Sequence, residues 1–476
     1  MGKASGKSGK KTKIKKTKAS PKSEKLSAKA MKRAKKATKT KAEPKKKDLL
    51  AQIAALEARL AAPKGPLVSP LAPDFPDLPA IPGVRFSTAQ VGVKYQGRTD
   101  VMLADLAPGT SVAGVFTRSA TRSAAVLDCQ AKLKATQDGS GGWALLVNSG
   151  NANAFTGTAG AGAVTAICHA TGQAIGLPPA RVLTASTGVI GEPLPSDRIT
   201  GALDTLAKGL TSDGMGDAAR AIMTTDTFPK GATRTVDLDG TPVTISGFAK
   251  GSGMIAPDMA TMLAYVFTDA KVGARALQTM VSDLTKSTFN AITVDGDTST
   301  SDTLIVAATG QADHAEIKTA RTRAGRAFKD ALGEVFKDLA LQIVKDGEGA
   351  TKLVEVSVTS AANALDARRV ASAIANSPLV KTAIAGEDPN WGRVVMAVGK
   401  SGARADRDKL RICFGDIVVA EGGQRADSYA EEAGAAYMAR DHILLAVDLG
   451  MGSASDTMWT CDLTYRYVEI NADYRS

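Results

Sequence analysis

Residues 250–267 read Lys250-Gly-Ser-Gly-Met-Ile-Ala-Pro-Asp-Met-Ala-Thr261, directly followed by Met262-Leu-Ala-Tyr-Val-Phe267. A Gly/Pro loop thus runs into an apolar segment typical of a buried strand, with a threonine at the junction. This threonine can attack the carbonyl of Ala260, and cleavage there would free its α-amine. A free α-amine, with a pKa of about 7.7 to 8.0, can serve as base for the Thr261 hydroxyl. The same pattern also fits a plain β-branched residue that begins a core strand.

Seven further motifs lie along the chain. They are Val147-Asn-Ser-Gly-Asn-Ala-Asn-Ala154, Ser186-Thr-Gly-Val-Ile-Gly191, Met223-Thr-Thr-Asp-Thr227, Val294-Asp-Gly-Asp-Thr-Ser-Thr300, Asp346-Gly-Glu-Gly-Ala-Thr351, Asp388-Pro-Asn-Trp-Gly-Arg393 and Asn471-Ala-Asp-Tyr-Arg-Ser476. Together with the segment around Thr261, they resemble the ornithine acetyltransferase family of arginine biosynthesis, whose members are also called glutamate N-acetyltransferases. The resemblance covers roughly residues 83 to 476.

The resemblance implies a fold and a reaction. The fold is α/β, with two central β-sheets between helical layers, similar to N-terminal-nucleophile hydrolases but topologically distinct, and a smaller C-terminal α/β unit. The reaction begins with self-cleavage between Ala260 and Thr261. Thr261 then carries the acetyl group from N2-acetyl-L-ornithine to L-glutamate as an acetyl-threonine ester. Some family members also use acetyl-CoA, and no residue here decides that point.

The same resemblance implies the residues of the site. The oxyanion hole falls to Thr187 and Gly188, where a strand-ending turn is the plainer interpretation. Lys250 can bind a substrate carboxylate and Glu348 the side-chain ammonium of ornithine, although each alone fits a surface charge. The full set of substrate contacts is Thr224, Lys250, Thr261, Glu348, Asn471 and Ser476. One departure is Ser301, where the family more usually has Asn. Neither a cofactor nor a metal is implied, and a heterotetramer with two copies of each cleaved chain is expected.

Charge is distributed unevenly along the chain. Residues 1–47 hold 20 Lys and Arg against Glu24 and Glu43, a net charge of +18. Because the whole chain carries +12, the other residues carry a net charge of −6. This lysine-rich tail has almost nothing to bury and is expected to be disordered. A signal or transit peptide is not indicated, and no apolar run is long enough to cross a membrane. Four widely spaced cysteines without a Cys-x-x-Cys pair fit a reduced, cytoplasmic compartment.

The pattern predicts five regions: a tail over 1–47, a short helix and Pro-rich linker over 48–82, catalytic segments over 83–260 and 261–365, and a smaller unit over 366–476. Strands are predicted at 143–147, 181–186, 242–246, 261–267, 303–308 and 352–358. Helices are predicted at 160–175, 196–210, 274–289 and 319–344. In the last unit, helices near 370–376 and 429–439, strands near 394–398 and 412–419 and a final strand pair are predicted.

Other chemistries fit the sequence less well. The chain has three histidines and no Gly-x-Ser-x-Gly elbow for a Ser-His-Asp triad. A calcium loop counted from Asp295 lacks its twelfth-position Glu, because Val306 stands there. Two alternatives remain: a self-processing aminopeptidase or amidase in which water replaces glutamate, and a nucleic-acid-binding protein that uses its lysine tail.

Overall fold

The computed structural model describes residues 68–135, 141–256 and 262–473 of the chain. The lysine tail 1–47, the predicted helix after it, the first linker residues, Ala260, Thr261 and Ser476 all lie outside these ranges. The strands within them are β1 (Val84–Ala89), β2 (Val101–Leu106), β3 (Ser111–Phe116), β4 (Trp143–Asn148), β5 (Val182–Ser186), β6 (Lys230–Leu238), β7 (Thr241–Lys250), β8 (Leu263–Thr268), β9 (Thr303–Ala308), β10 (Leu353–Ala361), β11 (Arg411–Phe414), β12 (Ile417–Glu421), β13 (Gln424–Arg425), β14 (His442–Asp448) and β15 (Ala454–Cys461).

The same ranges contain twelve α-helices. They are α1 (Ala124–Ala135), α2 (Gly157–Ile175), α3 (Ser196–Gly201), α4 (Leu203–Lys208), α5 (Met215–Ala221), α6 (Ala274–Ser287), α7 (Arg323–Lys345), α8 (Ala364–Ala375), α9 (Pro378–Ala385), α10 (Trp391–Lys400), α11 (Glu431–Met438) and α12 (Tyr465–Asp473). Short 3-10 turns occur at Pro179–Arg181 and Phe289–Ala291. No helix of the described part is both long and apolar enough to cross a membrane.

Two sheets form the centre of the molecule, with strand orders β1-β2-β4-β5 and β3-β9-β8-β7-β6. Strands β4, β8 and β9 are buried at all six positions. A strand that is covered on both faces needs apolar side chains at nearly every position rather than at alternate ones. The continuous apolar runs of these strands therefore require a further layer on each side.

Alternation along the strands sorts the side chains between two cores. Along β8, Leu263, Tyr265 and Phe267 pack against the first sheet. Ala264 and Val266 point the other way, into the core shared with α6 and α7. The outer face of the first sheet packs on α2, α3 and α4. The layers are thus helix, sheet, sheet, helix, which confirms the prediction of two central sheets between helical layers.

The second sheet combines strands from both sides of the Ala260–Thr261 bond. Strand β8 pairs antiparallel with β7, from Lys250↔Leu263 to Ile245↔Thr268. On its other edge β8 pairs in parallel with β9, and β9 pairs antiparallel with β3. Strands β8 and β9, which follow residue 261, therefore lie between β3 and β7, which precede residue 260.

A third sheet forms the C-terminal unit, with strand order β13-β12-β11-β14-β10-β15. One core joins it to α8, α9 and α10. Strand β10 lies between β14 and β15, so this sheet begins at Leu353, ahead of residue 366. The smaller α/β unit is therefore present.

Most local predictions match an element, with three differences. The single strand predicted at 412–419 is a pair of antiparallel strands, β11 and β12, joined by a turn at residues 415–416. The helix predicted at 196–210 is divided into α3 and α4 at Ala202. The strand predicted at 394–398 is wrong, because these residues belong to α10. The Asn390 side chain accepts a hydrogen bond from the Arg393 N–H and caps this helix. Val394, Ala397 and Val398 are its buried residues, and their helical spacing outweighs the strand preference of valine.

The proline-rich stretch 68–82 contains no helix or strand. It nevertheless packs onto the body, because Ile81 is buried in the core between the two central sheets and Phe75 and Leu78 lie against it. The Ser69 hydroxyl also donates to the Lys345 carbonyl at 2.6 Å. The compact unit therefore begins ahead of residue 83.

Candidate active site

One pocket of about 180 Å³ is lined by six residues that the sequence analysis assigned to the site: Thr187, Gly188, Thr224, Lys250, Glu348 and Asn471. These residues come from four separate motifs and from the β7 terminus, so the fold brings together positions far apart in the sequence. A larger cavity of about 540 Å³ lies near the start of α2, and none of the predicted residues lines it.

The predicted oxyanion-hole residues follow directly after β5. Strands β4 and β5 are parallel, so the loops after both strands meet at one edge of the sheet. The Thr187 N–H donates to the Asn148 carbonyl at 3.1 Å, and the Val189 N–H donates to the Gly150 carbonyl at 3.2 Å. Within the described ranges no hydrogen bond from the Gly188 N–H is found, and Gly188 lines the pocket.

The backbone at Gly188 requires glycine for two reasons. Its φ of +130° lies in a region that residues with a side chain rarely adopt. A Cβ atom there would also lie 2.3 Å from the Gly150 carbonyl carbon. The loops after β4 and β5 can therefore approach this closely only while residue 188 has no side chain.

A buried charge network lies next to Lys250, at the end of β7. The Lys230 ammonium contacts Asp226 at 2.7 Å and Asp346 at 2.6 Å, and all three side chains are fully buried. Asp226 also accepts the Gly251 N–H at 2.6 Å. The Lys250 ammonium is 3.9 Å from Asp226, too long for a strong hydrogen bond. Lys250 therefore retains donors for a bound carboxylate.

The pKa values within this network shift with burial and charge. Burial alone would raise the pKa of Asp226, but the ammonium groups of Lys230 and Lys250 hold it below its ordinary value. Burial lowers the pKa of Lys250, although the Asp226 carboxylate opposes the shift. Burial raises the pKa of Asp346 despite the charge of Lys230. The network thus keeps Asp226 ionised beside Lys250.

We expect Lys230→Met to lower the free energy of unfolding by about 3 to 5 kcal/mol, because it leaves two buried carboxyl groups without their cation. Urea unfolding followed by circular dichroism measures this change. Lys286→Met is the matched control, since the Lys286–Asp283 pair is exposed and such pairs contribute at most about 1 kcal/mol. An equal loss of unfolding free energy in the two variants would show that the buried network contributes no more to stability than an exposed ion pair.

Glu348 and Asn471 lie next to each other in the pocket lining. The Asn471 amide, carried by α12, donates to Glu348 Oε2 at 2.7 Å. The Glu348 N–H donates to the Ser252 carbonyl at 3.0 Å, which ties this loop to the segment after β7. A Cβ on Gly253 would lie 2.5 Å from the Glu348 carboxyl carbon. The glycine of the Lys250 motif therefore makes room for this carboxylate.

Thr224 lies on the loop after α5, where its N–H donates to Asp226 Oδ2 at 2.9 Å. The Arg98 guanidinium holds the same loop by donating to the carbonyls of Thr224 and Met223. The neighbouring Thr225 hydroxyl is 2.7 Å from that of Ser252. Asp226 thus orients both Thr224 and the start of the segment after β7.

Several residues of the pocket were missed by the sequence analysis. They are Ala152, Ile190, Thr225, Gly253, Met254, Ser299 and Thr300. All fall within the quoted motifs, which was the available signal. Ser301, noted as a departure from the family, also lines the pocket. Lys230 lies outside every motif, and a single lysine in a strand gave no sign of burial.

Thr261, Ala260 and Ser476 lie outside the described residues, so their roles stay predictions. The described chain reaches the pocket at Gly253 and Met254 and resumes at Met262, whose N–H donates to Asp302 Oδ1 at 3.1 Å. In the described part, no three His, Cys, Asp or Glu side chains are grouped so that they could hold a metal ion.

Known proteins resemble this chain over most of its length. The model of the ArgJ family matches residues 85–476. The arginine biosynthesis bifunctional protein ArgJ of Ruegeria pomeroyi is 62% identical over 410 residues, which cover 86% of this chain and 98% of the relative. Its counterpart from Gluconobacter oxydans is 54% identical over 409 residues, covering 86% and 96%.

A crystal structure of the protein of that name from Bacillus halodurans is 45% identical, with a TM-score of 0.44, and the match covers 45% of this chain and all of that chain. The match to the family model over residues 85–476 and the identity to relatives matched over nearly their full length agree with the resemblance drawn from the eight motifs. This chain belongs to the ArgJ family.

Proposed function

We propose that this chain moves the acetyl group of N2-acetyl-L-ornithine to L-glutamate through an ester on Thr261. The observation that carries the proposal is one pocket that Lys250, Glu348 and Gly188 line together. An ammonium, a carboxylate and a backbone N–H that has no acceptor among the described residues suit an amino acid whose acyl group is to be transferred. The name of the relatives, which places them in arginine biosynthesis, supports the same setting.

In the first half-reaction, the Thr261 amine removes the hydroxyl proton and the hydroxyl oxygen attacks the acetamide carbonyl. Lys250 binds the α-carboxylate of acetylornithine, and Glu348 accepts a hydrogen bond from its side-chain ammonium. The Gly188 N–H and the Thr187 hydroxyl donate to the oxygen that becomes negative in the tetrahedral intermediate. As this intermediate collapses, the Thr261 ammonium returns the proton to the departing nitrogen, which releases ornithine and leaves the acetyl group on Thr261.

In the second half-reaction, the α-amine of glutamate attacks the acetyl-threonine ester. Lys250 again binds the α-carboxylate, because both substrates share it. N-acetylglutamate leaves and the Thr261 hydroxyl is restored. Thr224, Asn471 and Ser476 complete the predicted substrate contacts.

Self-cleavage frees the α-amine of Thr261 and leaves two chains, residues 1–260 and residues 261–476. Strands β8 and β9 lie between strands of the first chain, which supports the two chains remaining in one fold. We further propose two copies of each chain in the assembly, as the resemblance implies. The four free cysteines support a reducing, cytoplasmic setting.

Glutamate dependence tests this function. We expect enzyme incubated with acetylornithine alone to release one equivalent of ornithine per site and stop, because the ester has no acceptor. Added glutamate should restart release, and the double-reciprocal plots should be parallel, as ping-pong transfer requires. Sustained ornithine release without glutamate would instead identify an amidase. A parallel assay with acetyl-CoA and glutamate tests for a second acetyl donor.

A further inference from the structure

Asp226 is a buried carboxylate to which the mechanism above gives no role, although it lies between two of the substrate-binding residues. Its Oδ1 atom accepts the Gly251 N–H at 2.6 Å and the Lys230 ammonium at 2.7 Å. Its Oδ2 atom accepts the Thr224 N–H at 2.9 Å and lies 3.9 Å from the Lys250 ammonium. The carboxylate thus joins the loop that carries Thr224 to the end of β7, where Lys250 lines the pocket.

Lys250 lies in surroundings that oppose its positive charge. Its side chain is only 5% exposed, and burial disfavours the charged form of a lysine. Four titratable side chains of the described chain face it: Asp226 after α5, Lys230 on β6, Asp302 ahead of β9 and Glu348 after α7. The three acids favour the ammonium form of Lys250, whereas the charge of Lys230 opposes it.

Of these three acids, Asp226 is the one that is both fully buried and held ionised. Burial would raise the pKa of Asp226, but the charges of Lys230 and Lys250 hold it below its ordinary value. Burial raises the pKa of Asp302 well above its ordinary value, which favours the neutral form of that carboxyl group. Glu348 lines the pocket and is assigned to the substrate ammonium. Asp226 is therefore the fixed negative charge beside Lys250.

We propose that Asp226 is a positioning residue that holds Lys250 in place and in its charged form for the substrate carboxylate. The inference rests on the proposed binding of that carboxylate at Lys250. Burial lowers the pKa of Lys250 and Asp226 opposes the shift, so loss of the Asp226 charge lowers that pKa further. Lys250 then loses its proton at a lower pH, and a neutral amine binds a carboxylate weakly. Asp226 therefore sets the upper pH limit of substrate binding.

The test is the Kd of L-glutamate for purified Asp226→Asn without an acetyl donor, measured by calorimetry from about pH 6 to about pH 9.5. At each pH this Kd is divided by that of the unaltered enzyme. The amide oxygen of asparagine can still accept from Gly251 and Lys230, but the amide nitrogen at the Oδ2 position brings no charge to Lys250. We expect the ratio to rise at least about tenfold over this range, because an opposite charge within about 4 to 6 Å changes a pKa by about 1 to 3 pH units.

The pH dependence of this ratio distinguishes charge from shape. Groups that titrate alike in both proteins, the amine of glutamate included, cancel in the ratio. A side chain that only shapes the two loops would weaken binding by the same factor at every pH, so a constant or falling ratio would overturn the inference. Unaltered enzyme that binds no glutamate at any pH would instead refute the proposed function, and the inference with it.

Asp269→Asn is the matched control. Asp269 is also a buried carboxyl group, and it accepts the Thr244 N–H at 2.8 Å. It follows the far end of β8, about 20 Å along the strand from Leu263, the residue that pairs with Lys250. This variant keeps every group that faces Lys250, so its Kd ratio should stay constant with pH. An equal rise in Asp269→Asn would show a general effect of losing a buried carboxyl and would count against Asp226.

Lys250→Arg identifies the group that loses its proton. A guanidinium stays charged throughout this pH range, so adding Asp226→Asn to Lys250→Arg should give a ratio that does not rise with pH. A rise in the arginine background would assign the titration to another group and contradict the inference. If Asp226→Asn does not fold, Asp226→Ser, which is also neutral but smaller, should show the same rise, and a constant ratio there would equally overturn the inference.

Discussion

Thr261→Ala should yield one uncut chain of 476 residues with no measurable acetyl transfer. Alanine removes the hydroxyl that attacks the Ala260 carbonyl, and without cleavage the α-amine at residue 261 stays in a peptide bond and cannot act as base. Loss of a nucleophile that acts together with its base costs about 10⁶-fold in turnover. This is the largest effect that the proposed mechanism predicts.

Mass spectrometry of the purified protein distinguishes the two forms. The unaltered chain should yield a smaller fragment that begins Thr-Met-Leu-Ala-Tyr, whereas Thr261→Ala should show only the full-length mass. Thr261→Ser is the matched control, because it keeps a hydroxyl and should retain some cleavage and some transfer. Acetyl transfer by uncut Thr261→Ala protein would contradict both the nucleophile and the need for cleavage.

Topology explains how such a cleavage can leave the fold intact. Lys250, the last residue of β7, pairs with Leu263, the first residue of β8. The two ends of the connection between these strands are therefore neighbours in the sheet. Cutting this connection removes a covalent closure but none of the hydrogen bonds between the strands. Because β8 also pairs with β9, we expect the second chain to stay inserted in the sheet after the proposed cleavage.

The site residues were predicted from motifs that resemble a known family and not from local chemistry, since Lys250 and Glu348 alone each fit a surface charge. Gly188 follows an apolar strand at a point where the backbone needs a positive φ, and Lys250 precedes a Gly/Pro loop. The charge network could not be predicted in this way. Lys230 resembles any lysine on a strand, and its burial depends on β6, the loop after α5 and the end of α7 meeting in space.

Strand predictions succeeded where burial on both faces left a continuous apolar run, as in β9, whose bounds match the predicted 303–308. The same rule failed at 394–398, since a short valine-rich run also fits the buried face of a helix. Sheet order lay beyond the sequence pattern altogether. Nothing in the composition of β3 indicates that it pairs with β9, nearly two hundred residues later.

Gly188→Ala is expected to lower kcat for acetyl transfer by about 10² to 10³, the usual cost of losing one oxyanion donor. The added Cβ would lie 2.3 Å from the Gly150 carbonyl carbon and 2.6 Å from the Asn151 nitrogen. These are backbone atoms that cannot rotate away, so the loop carrying the Gly188 N–H must shift. The KM for acetylornithine should change less than about threefold, because the donor acts on charge that develops only in the transition state.

Gly191→Ala separates this effect from backbone strain in the same loop. Gly191 also has a positive φ, +86°, but no atom would lie within 4 Å of a Cβ added there, so alanine meets strain without collision. Such strain costs about 1 to 3 kcal/mol of stability and should leave kcat within about threefold. Steady-state kinetics and thermal unfolding of both variants distinguish loss of the oxyanion donor from backbone strain. If Gly188→Ala and Gly191→Ala lose stability alike and keep the same kcat, the Gly188 N–H does not stabilise the oxyanion, since only one of the two substitutions displaces that donor.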